Sequence, residues 1–425
     1  MWYHTYIGLF FRLGRNTDVK AYQRFLNYIT YGTASSETSG KTPSTEGQLV
    51  LAEALKNELI AMGIEAEADA YGYVYAKIDA TEGCEKAPAI GFIAHMDTSP
   101  ECSGNGVKAQ IIENYNGGDV VLGNGERILK VSDFPHLPSL KGRTLITTDG
   151  STLLGADDKA GVAEIMTLAE ILTTTDMPHG KICIGFTPDE EIGEGADHFD
   201  VARFGADFGY TVDGGEEGGV EYENFNASAA TVYVKGFSVH PGSSKNTMIN
   251  ASLVAMEFNS MLPSADIPSH TDGYEGFFHL TEMKGETSEA TLHYIIRDHD
   301  AASFDVRNKT LEHITKILNE KYGKGTVTLT VKEQYRNMAE MVRPHMHIVD
   351  NAKRASEMAG VTPIVYPIRG GTDGARLSFM GLPCPNLGTG GYAYHGPYEH
   401  ITVEGMDTVV EILCQIVKIY SKENI

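Results

Sequence analysis

Adjacent carboxylates at the end of an apolar run are the first residues here whose placement suggests chemistry. Ile182-Cys183-Ile184-Gly185-Phe186 has the composition of a strand and runs into Thr187-Pro188-Asp189-Glu190-Glu191-Ile192. Proline stops the strand, so the acids lie on a loop, where one carboxylate can ligate a metal and its neighbour can handle a proton. A solvated charged loop explains these residues about as well, unless other parts of the chain deliver matching ligands. They do. The apolar segment Ala89-Ile90-Gly91-Phe92-Ile93-Ala94 ends in His95-Met96-Asp97, where alternation puts His95 and Asp97 on one side. A carboxylate so placed can hold the second ring nitrogen of a ligating histidine and set its tautomer. Phe208-Gly209-Tyr210-Thr211-Val212 ends likewise in Asp213-Gly214-Gly215. After Leu154-Gly155-Ala156-Asp157-Asp158-Lys159, apolar residues recur at helical spacing from Ala160 to Leu172, which places Asp157 at the start of a helix. The other three groups stand at carboxyl ends of strands, the edge of an open α/β sheet where ligands bind.

The elements that must position these groups fall into two sets. A chain of 425 residues exceeds one ordinary core, so two domains are expected. Thr45-Glu46-Gly47 leads into an amphipathic helix that stops at Gly63 and is read as a structural cover for the sheet. The stretch Glu65 to Ile78 alternates like one exposed strand. Pro100 to Leu140, rich in Gly and Asn, reads as a long insertion with hairpins, either functional or built around small strands. From about Asn226 the rhythm changes. Strands at Ala229–Lys235, Gly276–Met283, Glu289–Arg297 and Thr326–Lys332 alternate with helices at Met248–Leu262 and Ser303–Tyr322, a βαββαβ order with one antiparallel sheet. A helix over Pro344–Ala359 and a strand over Pro363–Pro367 then resume the first pattern. The second domain is therefore inserted into the first, with the larger domain over 1–225 and 337–425 and the smaller over 226–336.

Composition excludes several classes. The 42% hydrophobic and 21% charged residues are those of an ordinary soluble protein, and a net charge of -23 argues against nucleic acid or an anionic membrane as partner. No glycine-rich phosphate loop with Lys-Ser/Thr is present. The five cysteines are scattered and lack CxxC spacing, which supports neither a disulfide framework nor a thiolate metal site and suits a reducing cytoplasm. Met1 to Phe11 is aromatic and apolar but lacks a basic segment before it and a small-residue cleavage site, so a flexible extension over 1–17 is expected rather than a signal peptide. No stretch is long and apolar enough to span a bilayer.

His95-Met96-Asp97-Thr98, Gly155-Ala156-Asp157-Asp158-Lys159-Ala160-Gly161, Thr187-Pro188-Asp189-Glu190-Glu191 and Thr211-Val212-Asp213-Gly214-Gly215, in this order, resemble the dizinc exopeptidases related to carboxypeptidase G and aminoacylase. The likeness runs from about Tyr22 to the C-terminus and is strongest to the family's tripeptide aminopeptidases. It implies an α/β zinc-exopeptidase-like catalytic domain with an inserted ferredoxin-like lid and dimerisation domain, hence a homodimer acting on small peptides. It also implies two zinc ions per chain, with cobalt or manganese as substitutes. By the family pattern one ion takes His95 and Asp213, the other takes Glu191 and His395, and Asp157 bridges them, followed by a cis peptide bond. His395 is carried over from Tyr394-His395-Gly396-Pro397-Tyr398-Glu399, with His400 as runner-up. Three carboxylates against two dications leave a net charge of +1, suited to polarising a carbonyl and acidifying a bridging water.

The same resemblance makes Glu190 the general base and Asp97 the partner of His95. Arg297 and Arg369 match positions that bind the substrate's carboxylate, and His240 in Val239-His240-Pro241-Gly242 matches a lid histidine that stabilises the developing oxyanion in a partner subunit. The expected activity is metal-dependent removal of the N-terminal residue from tripeptides. The alternatives are a dipeptidase, a carboxypeptidase or an N-acyl-amino-acid amidohydrolase on the same site, or a peptide-binding relative without catalysis.

Overall fold

The computed structural model describes residues 19–422, and the expected extension over 1–17 lies outside the described residues. The described residues form two compact units, one within Met1–Val220, His345–Val365 and Met380–Ile425, the other of Glu221–Pro344 and Tyr366–Phe379.

The first unit is built on an eight-stranded sheet. Its order is Glu65–Ala68, Val74–Ile78, Ile182–Thr187, Ile90–His95, Phe208–Gly214, Asn386–Gly388, Gly219–Glu221 and Ile364–Val365. Ile90–His95 runs parallel to both neighbours, with His95 opposite Thr187, so the motif-bearing ends of the strands share one edge. Every residue of Ile90–His95 and Ile182–Thr187 is buried, as expected for parallel strands covered on both faces. Helix Ala156–Thr174 packs on Ile90–His95 and on Phe208–Gly214. Gly161 permits that approach, because a Cβ there would lie 1.9 Å from the Val212 carbonyl oxygen. The close packing sets the start of this helix beside the strand that ends in Asp213.

Two local expectations are refined. Glu65 to Ile78 is a hairpin of Glu65–Ala68 and Val74–Ile78 rather than one exposed strand. Asp69 Oδ1 accepts the Tyr71 and Tyr73 N–H groups and Gly72 takes φ 88°, which turns the chain, and Val74, Tyr75 and Ala76 are buried. The insertion between Pro100 and Leu140 is built around small strands. It holds Ala109–Ile112 and the pair Val120–Leu122 with Arg127–Leu129, closed over a cluster that includes Tyr115, Leu122, Leu129 and Leu137.

The second unit is a four-stranded antiparallel sheet ordered Phe277–Gly285, Glu289–Asp298, Asn226–Lys235, Val327–Tyr335. Helices Ala251–Ser260 and Ala301–Tyr322 pack on it around Val232, Phe258, Leu292, Ile296, Leu311 and Leu318. Alternation along Glu289–Asp298, with Ala290, Leu292, Tyr294 and Ile296 buried, shows one sheet face turned to these helices. This is the βαββαβ arrangement, an antiparallel sheet domain separate from the α/β domain.

Candidate metal centre

At the carboxyl edge of the large sheet the strand ends and the helix start bring five side chains together. His95 Nε2 lies 2.9 Å from Asp157 Oδ1 and 3.4 Å from Asp213 Oδ1. His395 Nε2 lies 3.2 Å from Asp157 Oδ2 and 3.0 Å from Glu191 Oε2. The two oxygens of Asp157 are thus divided between two imidazoles, each with one further carboxylate. His395 adopts φ 62° in its glycine-rich turn. The Asp157-Asp158 peptide is cis, and both residues depart from helical geometry before the helix proper begins.

Neighbouring groups hold these five in place. His95 Nδ1 faces Asp97, 3.1 Å from its carbonyl oxygen and 3.3 Å from Oδ1, which leaves Nε2 toward Asp157. The Asp97 carboxylate also accepts the backbone N–H groups of Glu190 (3.0 Å) and Glu191 (3.2 Å), so one aspartate orients the histidine and grips the single turn Glu190–Ile192. Glu399 is buried and accepts from the N–H groups of Leu154, Gly155 and Asp157. Asp158 accepts from the His95 and Gly161 N–H groups.

Electrostatics describe a site made for cations. Burial opposes protonation of His95, yet Asp213, Asp157 and Asp97 around it raise its pKa well above the ordinary value. Hydrogen bonds to Asp157 and Glu191 push His395 up to about 11. Burial raises Asp213 to about 7, and burial together with Asp157 raises Glu191. Glu191 Oε1 is buried without a hydrogen-bond partner. An orphaned carboxylate oxygen amid two imidazoles and two more carboxylates fits divalent cations, with an all nitrogen-and-oxygen donor set suited to zinc, cobalt or manganese.

The remaining expected site residues stand outside these five. Glu190 is half-buried beside Glu191 in the same turn. His400 stands outside the ligand group, with Nδ1 2.7 Å from the Tyr398 carbonyl oxygen and Nε2 2.8 Å from His136 Nε2. In the second unit His240 is exposed, and its Nδ1 accepts the Gly242 N–H at 3.1 Å, so the neutral ring carries its proton on Nε2. Arg297 donates to the Ser228 and Ile296 carbonyls and lies 5.4 Å from the Tyr335 ring centroid. Arg369 donates to the Gly273, Glu275 and Thr271 carbonyls and stacks over Phe225 and over Phe277, the register partner of Arg297. Neither guanidinium has a carboxylate partner among the described residues.

Sequence reasoning assigned no task to Asp189, Ser44, Gln48, Glu399 or Asp158. Only two signals pointed to any of them: Glu399 follows His395 by four residues, and Gln48 interrupts the apolar face of its helix.

With this geometry established, comparison with known proteins gives the class. Residues 148–419 match the model of Peptidase family M20/M25/M40. The chain is similar to Peptidase T of Clostridium perfringens, 55% identical over 407 residues that cover 95% of this chain and 100% of the relative. It is similar to Peptidase T of Halothermothrix orenii at 54% over 405 residues, covering 95% and 99%. Among solved structures, an aminopeptidase PepT from Bacillus cereus superposes with a TM-score of 0.76 at 22% identity, covering 95% of this chain and 98% of that one. A tripeptidase from Staphylococcus aureus gives the same TM-score at 20% identity, over the same shares. The candidate ligand cluster at the strand ends of this fold goes with a metallopeptidase family, and the chain belongs to Peptidase family M20/M25/M40. Within that family its 52–55% identical relatives carry the description Peptidase T.

Proposed function

We propose that the chain is a cytoplasmic dizinc aminopeptidase that removes the N-terminal residue from tripeptides. The observation that carries this reading is the division of the Asp157 oxygens between His95 and His395, with Asp213 and Glu191 completing the two halves. Similarity to Peptidase T at 55% identity supports tripeptides as the substrate class. The cytoplasm is supported by five cysteines of which none forms a disulfide and four are buried. Among the described residues no helix is long and apolar enough to cross a membrane.

In this reading His95 and Asp213 would hold one ion and Glu191 and His395 the other, with Asp157 shared between the two halves. Such ions, when bound, would supply Lewis-acid chemistry, the polarisation of a carbonyl and the acidification of a water. Glu190 is the base that takes a proton from the attacking water and returns it to the departing amine. Asp97 holds the His95 tautomer. Arg297 and Arg369 bind the C-terminal carboxylate of the peptide, for which a guanidinium offers two parallel donors. The lid and dimerisation domain spans 226–336, as read from the sequence, and presents His240 Nε2–H to the oxyanion that forms on the carbonyl.

The test is a panel of di-, tri- and tetrapeptides and an N-acetylated tripeptide, given to the zinc-loaded chain. Release of the N-terminal residue with kcat/KM highest for tripeptides is expected. Faster release of a C-terminal residue, or faster cleavage of the N-acetyl group, would sink the aminopeptidase assignment.

His240 is expected to act on the partner subunit of a homodimer. The outer edges of Phe277–Gly285 and Val327–Tyr335 are unpaired by other strands among the described residues, which leaves them open to a second copy. Mixing His240→Ala with Glu190→Ala chains under subunit exchange gives about half mixed dimers, each with one intact site, so about a quarter of wild-type activity should return. If exchange is demonstrated and no activity returns, His240 does not act in trans.

A further inference from the structure

Asp189 precedes the two glutamates on which the proposed chemistry depends, and its carboxylate is held by a buried set of donors. Oδ2 accepts the Ser44 N–H at 2.6 Å, and Oδ1 accepts the Ser44 hydroxyl at 2.5 Å and the Gln48 side-chain amide at 2.6 Å. The Gln48 Oε1 in turn accepts the Asp189 N–H at 3.0 Å. One glutamine at the start of helix Glu46–Ala61 therefore reads both the main chain and the side chain of Asp189. Asp189 and Gln48 are both fully buried, and Ser44 is 8% exposed.

The chain around this contact is also held. The Ser44 hydroxyl oxygen accepts the Ser36 N–H at 2.8 Å, and the Ser35 N–H donates to the Thr98 carbonyl at 3.1 Å. Asp189 sits at φ 58°, a left-handed conformation uncommon for a residue other than glycine. The Glu194 N–H closes on the Asp189 carbonyl at 3.0 Å. The turn that follows is gripped from its other side by Asp97 through the Glu190 and Glu191 N–H groups. With Asp189 anchored on one side and these amides on the other, the loop has little freedom to rotate Glu190.

We infer that Asp189, Ser44 and Gln48 form a clamp on the turn that positions Glu190 as the base. The inference rests on the proposed role of Glu190 and adds residues that touch neither substrate nor metal. They are positioning residues: removing an amide from the clamp lets the left-handed turn relax and carries Glu190 out of line. A displacement of about 1 Å at such a group costs on the order of 100-fold in rate.

The test uses the metal-loaded full chain. Gln48→Leu keeps volume and helix propensity while deleting both contacts to Asp189. It should lower kcat on a tripeptide roughly 100-fold with KM within about threefold, because the loss lies in the transition state. In a Glu190→Ala background the same change should alter the residual kcat by less than about threefold, since the base through which the clamp acts is gone. Amide exchange supplies a readout independent of activity. The Glu190 and Glu191 N–H groups should exchange at least about tenfold faster in Gln48→Leu, with Ile90–His95 and Ile182–Thr187 unchanged. Ser44→Ala is the milder variant should Gln48→Leu fold poorly, and Ser44→Thr, which keeps the hydroxyl, should restore most of the rate.

An equal fractional loss of kcat in both backgrounds, a rise in KM alone, or unchanged exchange at Glu190 and Glu191 would overturn the clamp. If the wild-type chain cleaves no tripeptide, the proposed function fails, and the exchange measurement still decides whether the clamp holds the turn.

Discussion

Glu190→Ala should lower kcat by about 100-fold to 10,000-fold, the span over which a positioned acid or base contributes, while the purified chain retains two metal ions. The expectation rests on a division of labour between adjacent acids. Glu191 Oε2 lies 3.0 Å from His395 Nε2, and its other oxygen is buried without a hydrogen-bond partner, which is why Glu191 is the acid proposed as the ligand. Glu190 shares that turn, is half-buried, and is the acid proposed as the base beside the ligand. The Asp97 carboxylate accepts the main-chain N–H of Glu190 as well as that of Glu191, which fixes the turn that carries both acids. Metal analysis and single-turnover kinetics on one preparation check both halves of the prediction. Loss of one metal equivalent together with the activity would make Glu190 a ligand.

The second large effect is expected at Asp157. Asp157→Asn should carry less than about one metal ion per chain at micromolar free zinc and show no measurable turnover, because both halves of the centre lose their common carboxylate. Proton release gives an independent measure. In the metal-free chain His95 and His395 hold protons well above the ordinary histidine range, and Asp213 titrates at about 7. Metal binds only the deprotonated forms, so uptake near pH 7 should release about two to three protons per chain. The sign follows: raising pH removes competing protons, and apparent affinity rises through this window. Zinc titration in weak buffer with a pH indicator measures the release. Release unchanged in Asp157→Asn would mean that the metals bind elsewhere.

Much of the centre was legible in the sequence because its parts carry local signals. Apolar runs that stop at His95, Thr187 and Asp213 announce strand ends, and helical spacing after Asp157 announces a helix start. Parallel pairing then places such ends on one edge, whatever loops intervene. The βαββαβ order of the second unit was legible for the same reason, since its periods switch cleanly between 2 and 3.6. His395 carried no periodic signal and came only from a resemblance.

The supporting contacts were decided by tertiary structure alone. Asp189 meets Gln48 across 141 residues and Ser44 across 145, and Glu399 reaches the Asp157 N–H across 242. Arg369 is placed in the second unit by carbonyls of residues 271–275 and by the Phe225 and Phe277 rings. Hairpin geometry likewise divided Glu65 to Ile78, where strand alternation continued on either side of a turn closed by Asp69. A periodic pattern records which face of an element is buried, and that is a property of neighbours along the chain. A hydrogen bond between distant segments depends on where folding brings them, and the identity of either residue by itself does not reveal its partner.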